Sequence, residues 1–298
     1  MDASLFPGFR QLAIETAPGI SINAIVGGAG APLLLLHGHP QTHAIWHKVA
    51  GTLAERFTVV ACDLRGYGDS SKPAGDPGHL AYSKRSMATD ALRVMQSLGY
   101  PRFRALAHDR GARVAHRLMA DYPDAVERAV LLDIAPTLAM YAQTSETFAR
   151  LYWHWFFLIQ PAPLPERLIE ADPGAYVRDV MGSRNGSLAA FDPRALAEYA
   201  RCLASPGAAH GLCEDYRAAA SIDLEHDRDD RAHGRKLATP LLVLWGANGV
   251  VARCFDPLAE WRKVADDVSG HTLPCGHYIA EEAPDALLAA ALPFLSGL

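Results

Sequence analysis

Three residue types in this chain are spaced as a covalent hydrolytic site requires. Asp109 lies in Ala107-His108-Asp109-Arg110-Gly111, after the apolar run that starts at Phe103 and before a helical pattern. Small residues on both sides let a strand turn sharply into a helix. The outline is a nucleophile elbow with aspartate where a serine would otherwise stand. A carboxylate attacks a carbonyl poorly, but it can displace a leaving group from an sp³ carbon and form an ester. A histidine must then activate water to open that ester at the Asp109 carboxyl carbon. His277 is the candidate. The histidine in turn needs an acid that fixes its tautomer and stabilises its cation. The turn after Leu244-Trp245-Gly246 carries Asn248, so Asp133, just past an earlier apolar run, is the better candidate.

Two arginines join the nucleophile. Arg110 and Arg113 are three apart at the start of the helix that follows Asp109, hence on one face. Guanidinium forks beside a nucleophile suit a planar carboxylate, and the helix N-terminus adds positive character. Arg117 continues the face two turns on and reads as an ion-pair partner. His108 should point away from the nucleophile and receives no catalytic role.

These residues need a parallel sheet to hold them. Arg10 to Ala24, interrupted by Pro18-Gly19, reads as an edge hairpin. Leu33–Leu36, Thr58–Cys62, Phe103–Ala107, Ala129–Leu132 and Leu241–Trp245 are short apolar runs, as buried parallel strands are. Helical patterns fall over 46–57, 83–98, 110–122, 255–264 and 284–295, and a last strand over 268–273. Alternating strand and helix predicts an α/β fold, a mostly parallel sheet covered by helices. After Pro136 the strands stop until about Lys236. The expected organisation is a core over 1–136, a helical cap over 137–236 and a second core segment over 237–298. The charged run Asp227 to Asp230 reads as a solvated face or linker. Asp109, Asp133 and His277 each follow a predicted strand end, where open α/β sheets place their sites.

Composition removes other classes. Half of the 298 residues are hydrophobic, a fifth are charged, and the net charge is −5. Nucleic acid and anionic membranes are therefore unexpected partners. No apolar run approaches a membrane span. Five scattered cysteines without CxxC spacing argue against disulfides or zinc, and no signal peptide is expected. A cytoplasmic protein is the expectation. The remaining histidines lack metal-ligand spacing, and neither metal nor cofactor is called for.

Nucleophile, acid and histidine occur in the chain order of the α/β-hydrolase fold. The His37-Gly38-His39-Pro40 turn, the Asp63–Ser70 loop, the elbow and the late histidine resemble that superfamily over roughly 200 residues. His108-Asp109-Arg110-Gly111-Ala112-Arg113, with Tyr152-Trp153-His154-Trp155, resembles the haloacetate (fluoroacetate) dehalogenases. This resemblance implies hydrolysis of a short 2-haloacid, with Asp109, His277 and Asp133 as the catalytic set. It implies that Arg110 and Arg113 bind the substrate carboxylate, and that His154, Trp155 and Tyr216 hold the halide. Backbone donors at His39 and Arg110 would form the oxyanion site. It also implies a homodimer, for which the aromatic-rich lid offers a contact. His39 stands where relatives commonly carry an aromatic such as Phe, and Ala107 where many carry Gly. The competing reading is an epoxide hydrolase, which shares the aspartate but has no carboxylate for the arginines. A serine esterase lacks its G-x-S-x-G, and a non-catalytic binding module would not need the Asp–His–Asp set.

Overall fold

The computed structural model describes residues 3–297. Eight strands form one sheet: β1 (Arg10–Ala17), β2 (Ile20–Gly27), β3 (Ala31–Leu36), β4 (Phe57–Cys62), β5 (Phe103–His108), β6 (Val126–Leu132), β7 (Leu241–Gly246) and β8 (Val268–Leu273). Their order is β1-β2-β4-β3-β5-β6-β7-β8. The β1–β2 and β2–β4 pairs are antiparallel and the other five are parallel. The central strands are apolar throughout because helices cover both faces; Leu33 to Leu35, Val59 to Ala61 and Ala129 to Leu132 are fully buried. β1 lies at the sheet edge, as the hairpin pattern predicts.

Local signals set the helix bounds. Ser83 caps Lys84–Ser97 by accepting from the Ser86 amide. Two expected helices are shorter than their patterns suggest. Over 46–57 the chain makes a 3-10 turn, His43–Trp46, and a five-residue helix, Ala50–Ala54. Gly51 and Thr52 are weak helix formers, and β4 recruits Phe57. Over 255–264 the helix spans only Pro257–Arg262, with Asp256 capping it and Pro257 in its first turn, and a separate helix, Val250–Cys254, precedes it.

Between β6 and β7 the described residues contain helices and no strand, from Thr137–Ala142 to Ile222–Ala232. The run Asp227 to Asp230 is not merely a solvated face. Asp227 and Asp230 lie 2.9 and 2.8 Å from the Arg117 guanidinium, which also meets Asp121. They tie the end of this insertion to the Asp109–Asp121 helix.

The elbow is held by close backbone packing. Asp109 has φ of 44° and Asp133 of 50°, both in the left-handed region that side chains other than glycine seldom adopt. Gly111 donates its amide to the His37 carbonyl at 2.8 Å. A Cβ there would come within 2.4 Å of the His37 oxygen and 2.5 Å of the Leu36 oxygen. Gly111→Ala should therefore push the Asp109–Asp121 helix away from β3. A loss of about 1–3 kcal/mol in denaturant unfolding is expected, together with loss of activity. An unchanged midpoint would show that the elbow is not under this constraint.

Candidate active site

The Asp109 carboxylate emerges at the C-terminal end of β5 and is only 3% exposed. Its Oδ2 accepts from the His39 amide at 3.1 Å. Gly38 has no side chain because a Cβ would lie 2.5 Å from the Asp109 Cβ. Burial alone would raise the carboxyl pKa. Contact with His277, then the neighbouring His277 and His108 rings and the Arg184 guanidinium, outweigh burial and hold it well below the usual carboxylate range. Asp109 is therefore an anion in a nearly dry site.

His277 stands in the loop after β8. Its Nδ1 donates to Asp133 Oδ2 at 2.6 Å, which leaves the Nε2 lone pair facing the nucleophile. Nε2 is buried without a hydrogen-bond partner among the described residues, 3.9 Å from Asp109 Oδ2. That gap is too long for a direct hydrogen bond and suits a bridging water. The other oxygen of Asp133 accepts from the Gly246 amide at 2.9 Å, so the acid is itself oriented. Burial lowers the His277 pKa, but the nearby Asp109 carboxylate and the bond to Asp133 prevail and raise it above the ordinary imidazole value. His108, to which the sequence gives no catalytic role, is not idle. Its Nε2 donates to the His277 carbonyl at 2.9 Å, while burial and His277 push its pKa down to about 3. A neutral ring thus anchors the backbone of the base. The Tyr152 hydroxyl lies 3.2 Å from His277 Nδ1, a contact no sequence spacing signals.

The two arginines beside the nucleophile are less free than their spacing suggests. Arg110 is fully buried, and Asp215 from the insertion takes its Nε and Nη2 at 2.7 and 2.9 Å. Only Nη1 has no partner among the described residues. Arg113 donates Nη1 to the Ala135 carbonyl and to Thr137 Oγ1, and it lies over the Trp155 ring with its Cζ 4.8 Å from the centroid. Its Nε remains unpartnered. The expected pair of open forks is thus corrected to one unclaimed N–H position on each guanidinium. The physical reason is that a fully buried arginine needs charge compensation, which Asp215 provides for Arg110.

The three insertion residues expected around a leaving group behave differently. Trp155 Nε1 and Tyr216 Oη are fully buried donors without partners among the described residues. Burial and the Asp109 charge raise the Tyr216 pKa well above the usual phenol value, so its proton stays. His154 was expected to offer a ring N–H, and its Nε2 cannot be that donor. That nitrogen is 2.5 Å from Nη2 of Arg184 and accepts from it. Arg184 was missed by sequence reasoning, because a lone arginine at the end of the Pro173–Asn185 helix carries no recognisable spacing. At the expected oxyanion position, His39 does present its amide to Asp109. Arg110 follows Asp109 in the first turn of its helix, where amides have no intrahelical acceptor. Among the described residues no cluster of His, Cys, Asp or Glu is arranged to hold a metal, and no helix is long and apolar enough to cross a membrane.

Comparison with known proteins supports the same architecture. A family model described as the α/β hydrolase fold matches residues 31–284. The chain is 42% identical over 293 residues to a fluoroacetate dehalogenase of Burkholderia sp, covering 98% of this chain and 95% of that protein. It is 33% identical over 287 residues to a soluble epoxide hydrolase of Corynebacterium sp, covering 94% and 95%. Among solved structures, a Nostoc sp PCC 7120 protein assigned to the α/β hydrolases superposes with a TM-score of 0.95 at 54% identity, over 97% of this chain and 99% of that one. The strand order, the aspartate elbow and these alignments agree: the chain belongs to the α/β hydrolase fold family, and it is a hydrolase.

Proposed function

We propose that this hydrolase removes halide from a short 2-haloacid such as fluoroacetate or chloroacetate, through an ester on Asp109. The observation that carries the reading is the set of buried donors without partners near an ionised aspartate: Arg110 Nη1, Arg113 Nε, Trp155 Nε1 and Tyr216 Oη. Buried donors left unpaired are costly, so such a set implies an anionic ligand. The Burkholderia relative named a fluoroacetate dehalogenase adds to it.

In this mechanism Arg110 and Arg113 hold the substrate carboxylate and turn its α-carbon toward Asp109. One Asp109 oxygen stays on the His39 amide while the other attacks the carbon. The carbon–halogen bond breaks and its electron pair leaves with the halide, beside Trp155 and Tyr216. A water between His277 Nε2 and the ester then loses its proton to His277 and adds to the Asp109 carboxyl carbon. The tetrahedral oxyanion is stabilised by the amides of His39 and Arg110. Collapse restores the Asp109 carboxylate and releases the hydroxyacid. Asp133 keeps the imidazole in its productive tautomer and stabilises the cation. The helical insertion over 137–236 acts as the cap of this site, and the enzyme requires no metal or cofactor. A cytoplasmic homodimer is the assembly proposed.

An epoxide hydrolase is the second reading, favoured by the Corynebacterium relative and by the unpartnered Tyr216 hydroxyl, which could protonate a ring oxygen. The buried arginines weigh against it. Halide release from haloacetates should be measured beside diol formation from styrene oxide. Diol without halide would replace the first reading with the second.

Two further outcomes test the mechanism. Asp109→Asn should lower halide release by about four orders of magnitude or more, and His277→Asn should let the ester accumulate as a mass increase on the peptide containing Asp109. In oxygen-labelled water, label should enter Asp109 on the first turnover and reach product only on later ones. Label in the first product would establish direct attack by water.

The pH dependence follows from the cause of the His277 shift. Protonation of His277 removes the base, so activity falls as pH drops through its pKa. In the free enzyme the Asp109 charge helps to raise that pKa above the imidazole norm. Ester formation removes the charge, whereas the opposing influence of Arg184 remains. The acid limb of kcat, where ester hydrolysis limits, should therefore lie at lower pH than the titration of His277 followed by NMR in the free enzyme. Coincidence of the two would show that Asp109 and His277 are not coupled.

A further inference from the structure

Arg184 is a strongly basic side chain in the candidate site that the proposed mechanism leaves without a task. Its Nη1 donates to the His39 carbonyl at 3.2 Å and to the Tyr278 hydroxyl at 3.3 Å. Its Nη2 lies between His39 Nδ1, at 3.1 Å, and His154 Nε2. Nε is buried without a partner, and the guanidinium carbon lies 5.4 Å from the centre of the Tyr152 ring. Among the described residues no carboxylate is ion-paired with it, in contrast to Arg110, whose charge Asp215 offsets at contact distance. The anion that acts on it is the Asp109 carboxylate, and the phenols of Tyr278, Tyr216 and Tyr152 are its polar neighbours.

This placement determines what the two imidazoles can do. A guanidinium only donates, so both facing nitrogens must accept. His39 then carries its proton on Nε2, where the Tyr176 hydroxyl lies 3.1 Å away, and His154 carries its own on Nδ1. The two rings stack face to face with 5.3 Å between centroids and 1° between planes. Burial and the Arg184 charge push both pKa values down, so the stack is neutral. Of the two His154 nitrogens, the one facing Arg184 has no proton to offer, and the ring's single N–H is at Nδ1.

We infer that Arg184 is the cation that meets the departing halide, taking the place expected of the His154 N–H. The inference rests on the proposed dehalogenase reading, since it places the leaving group beside Trp155 and Tyr216, whose ring lies 5.8 Å from that of His154. The bond that breaks is carbon–halogen, and the halide leaves with the electron pair. Arg184 donates hydrogen bonds and transfers no proton. A localised anion such as fluoride gains most from such a donor, because small size concentrates its charge. Arg184 also lines an open cleft of about 470 Å³, with Leu151, Asn248, Val250 and Arg253 on other sides.

The test compares wild type, Arg184→Met and Arg184→Lys on fluoro-, chloro- and bromoacetate, with acetate as a non-reacting inhibitor. Single-turnover rates of ester formation should fall in Arg184→Met by about 100-fold for fluoroacetate, less for chloroacetate and least for bromoacetate. Acetate inhibition should stay the same, and Arg184→Lys should recover part of the fluoroacetate rate. An equal fall for all three acids, or weaker acetate inhibition in step with the rates, would overturn the inference and make Arg184 a structural or carboxylate-binding residue. Halide binding is read separately by titrating tryptophan fluorescence with fluoride and chloride. If wild type releases no halide from any acid, the dehalogenase reading fails. Arg184 is then still judged by this titration: halide affinity lost in Arg184→Met upholds an anion site there, and unchanged affinity ends it.

Discussion

An ionised carboxylate removed from water is the constraint around which this molecule is arranged. Asp109 is 3% exposed, and an isolated anion at that depth would take up a proton rather than stay charged. What keeps it charged comes from four separate parts of the chain. The His39 amide reaches it from the loop after β3, and His277 faces it from the loop after β8. Arg113 follows it on the same helix, and Arg184 arrives from the helical insertion. The left-handed turn at Asp109 is tolerated because Gly38 and Gly111 leave room for it, and because the surrounding backbone has no freedom to relax it. Strain and charge are thus stored at one residue, where a nucleophile requires both exposure to substrate and protection from water.

A second buried cluster joins the insertion to that residue. Asp215 accepts from Arg110 and from Lys84 and Tyr67 of the core, and Lys84 also faces Asp223. Two cations and two carboxylates balance, so the cluster carries no net charge beneath the site. Breaking one member would leave an unmatched charge in the interior, which costs far more than the intact set contributes. The cluster therefore acts as a specific joint: it sets where the Ala208–Ala219 helix sits over the elbow and so where Tyr216 is held. The Arg117 contacts with Asp227 and Asp230 repeat the arrangement farther down the Asp109–Asp121 helix.

A third joint lies on the other side of the site. Glu281, four residues after His277, accepts from Gln41 of the His39 loop and from Tyr199 of the insertion. Burial pushes its pKa up to about 8, against the opposing effect of these bonds. The loop that carries the oxyanion amide and the loop that carries the base are thus bound to one side chain. Together with His108 beneath His277, this explains how two loops from distant parts of the sequence hold their geometry without strand pairing of their own.

The sheet, the elbow and the order of aspartate, acid and histidine are legible in the amino-acid sequence. These are written in local patterns: four-residue apolar runs for doubly covered strands, small residues around a tight turn, and side chains at strand ends. The lengths of the 46–57 and 255–264 helices were less legible, because Gly51, Thr52 and Pro257 override an apolar period that continues through them. What tertiary structure alone decided is the distribution of charge and protons. Arg110 and Arg113 look alike in the sequence, yet only Arg110 is neutralised, by a carboxylate 105 residues away. His154 looks like a hydrogen-bond donor, yet Arg184 turns its Nε2 into an acceptor. Such outcomes depend on which groups are forced together out of water. Coulomb energies there are large and fall with distance in space rather than along the chain, so no local pattern records them.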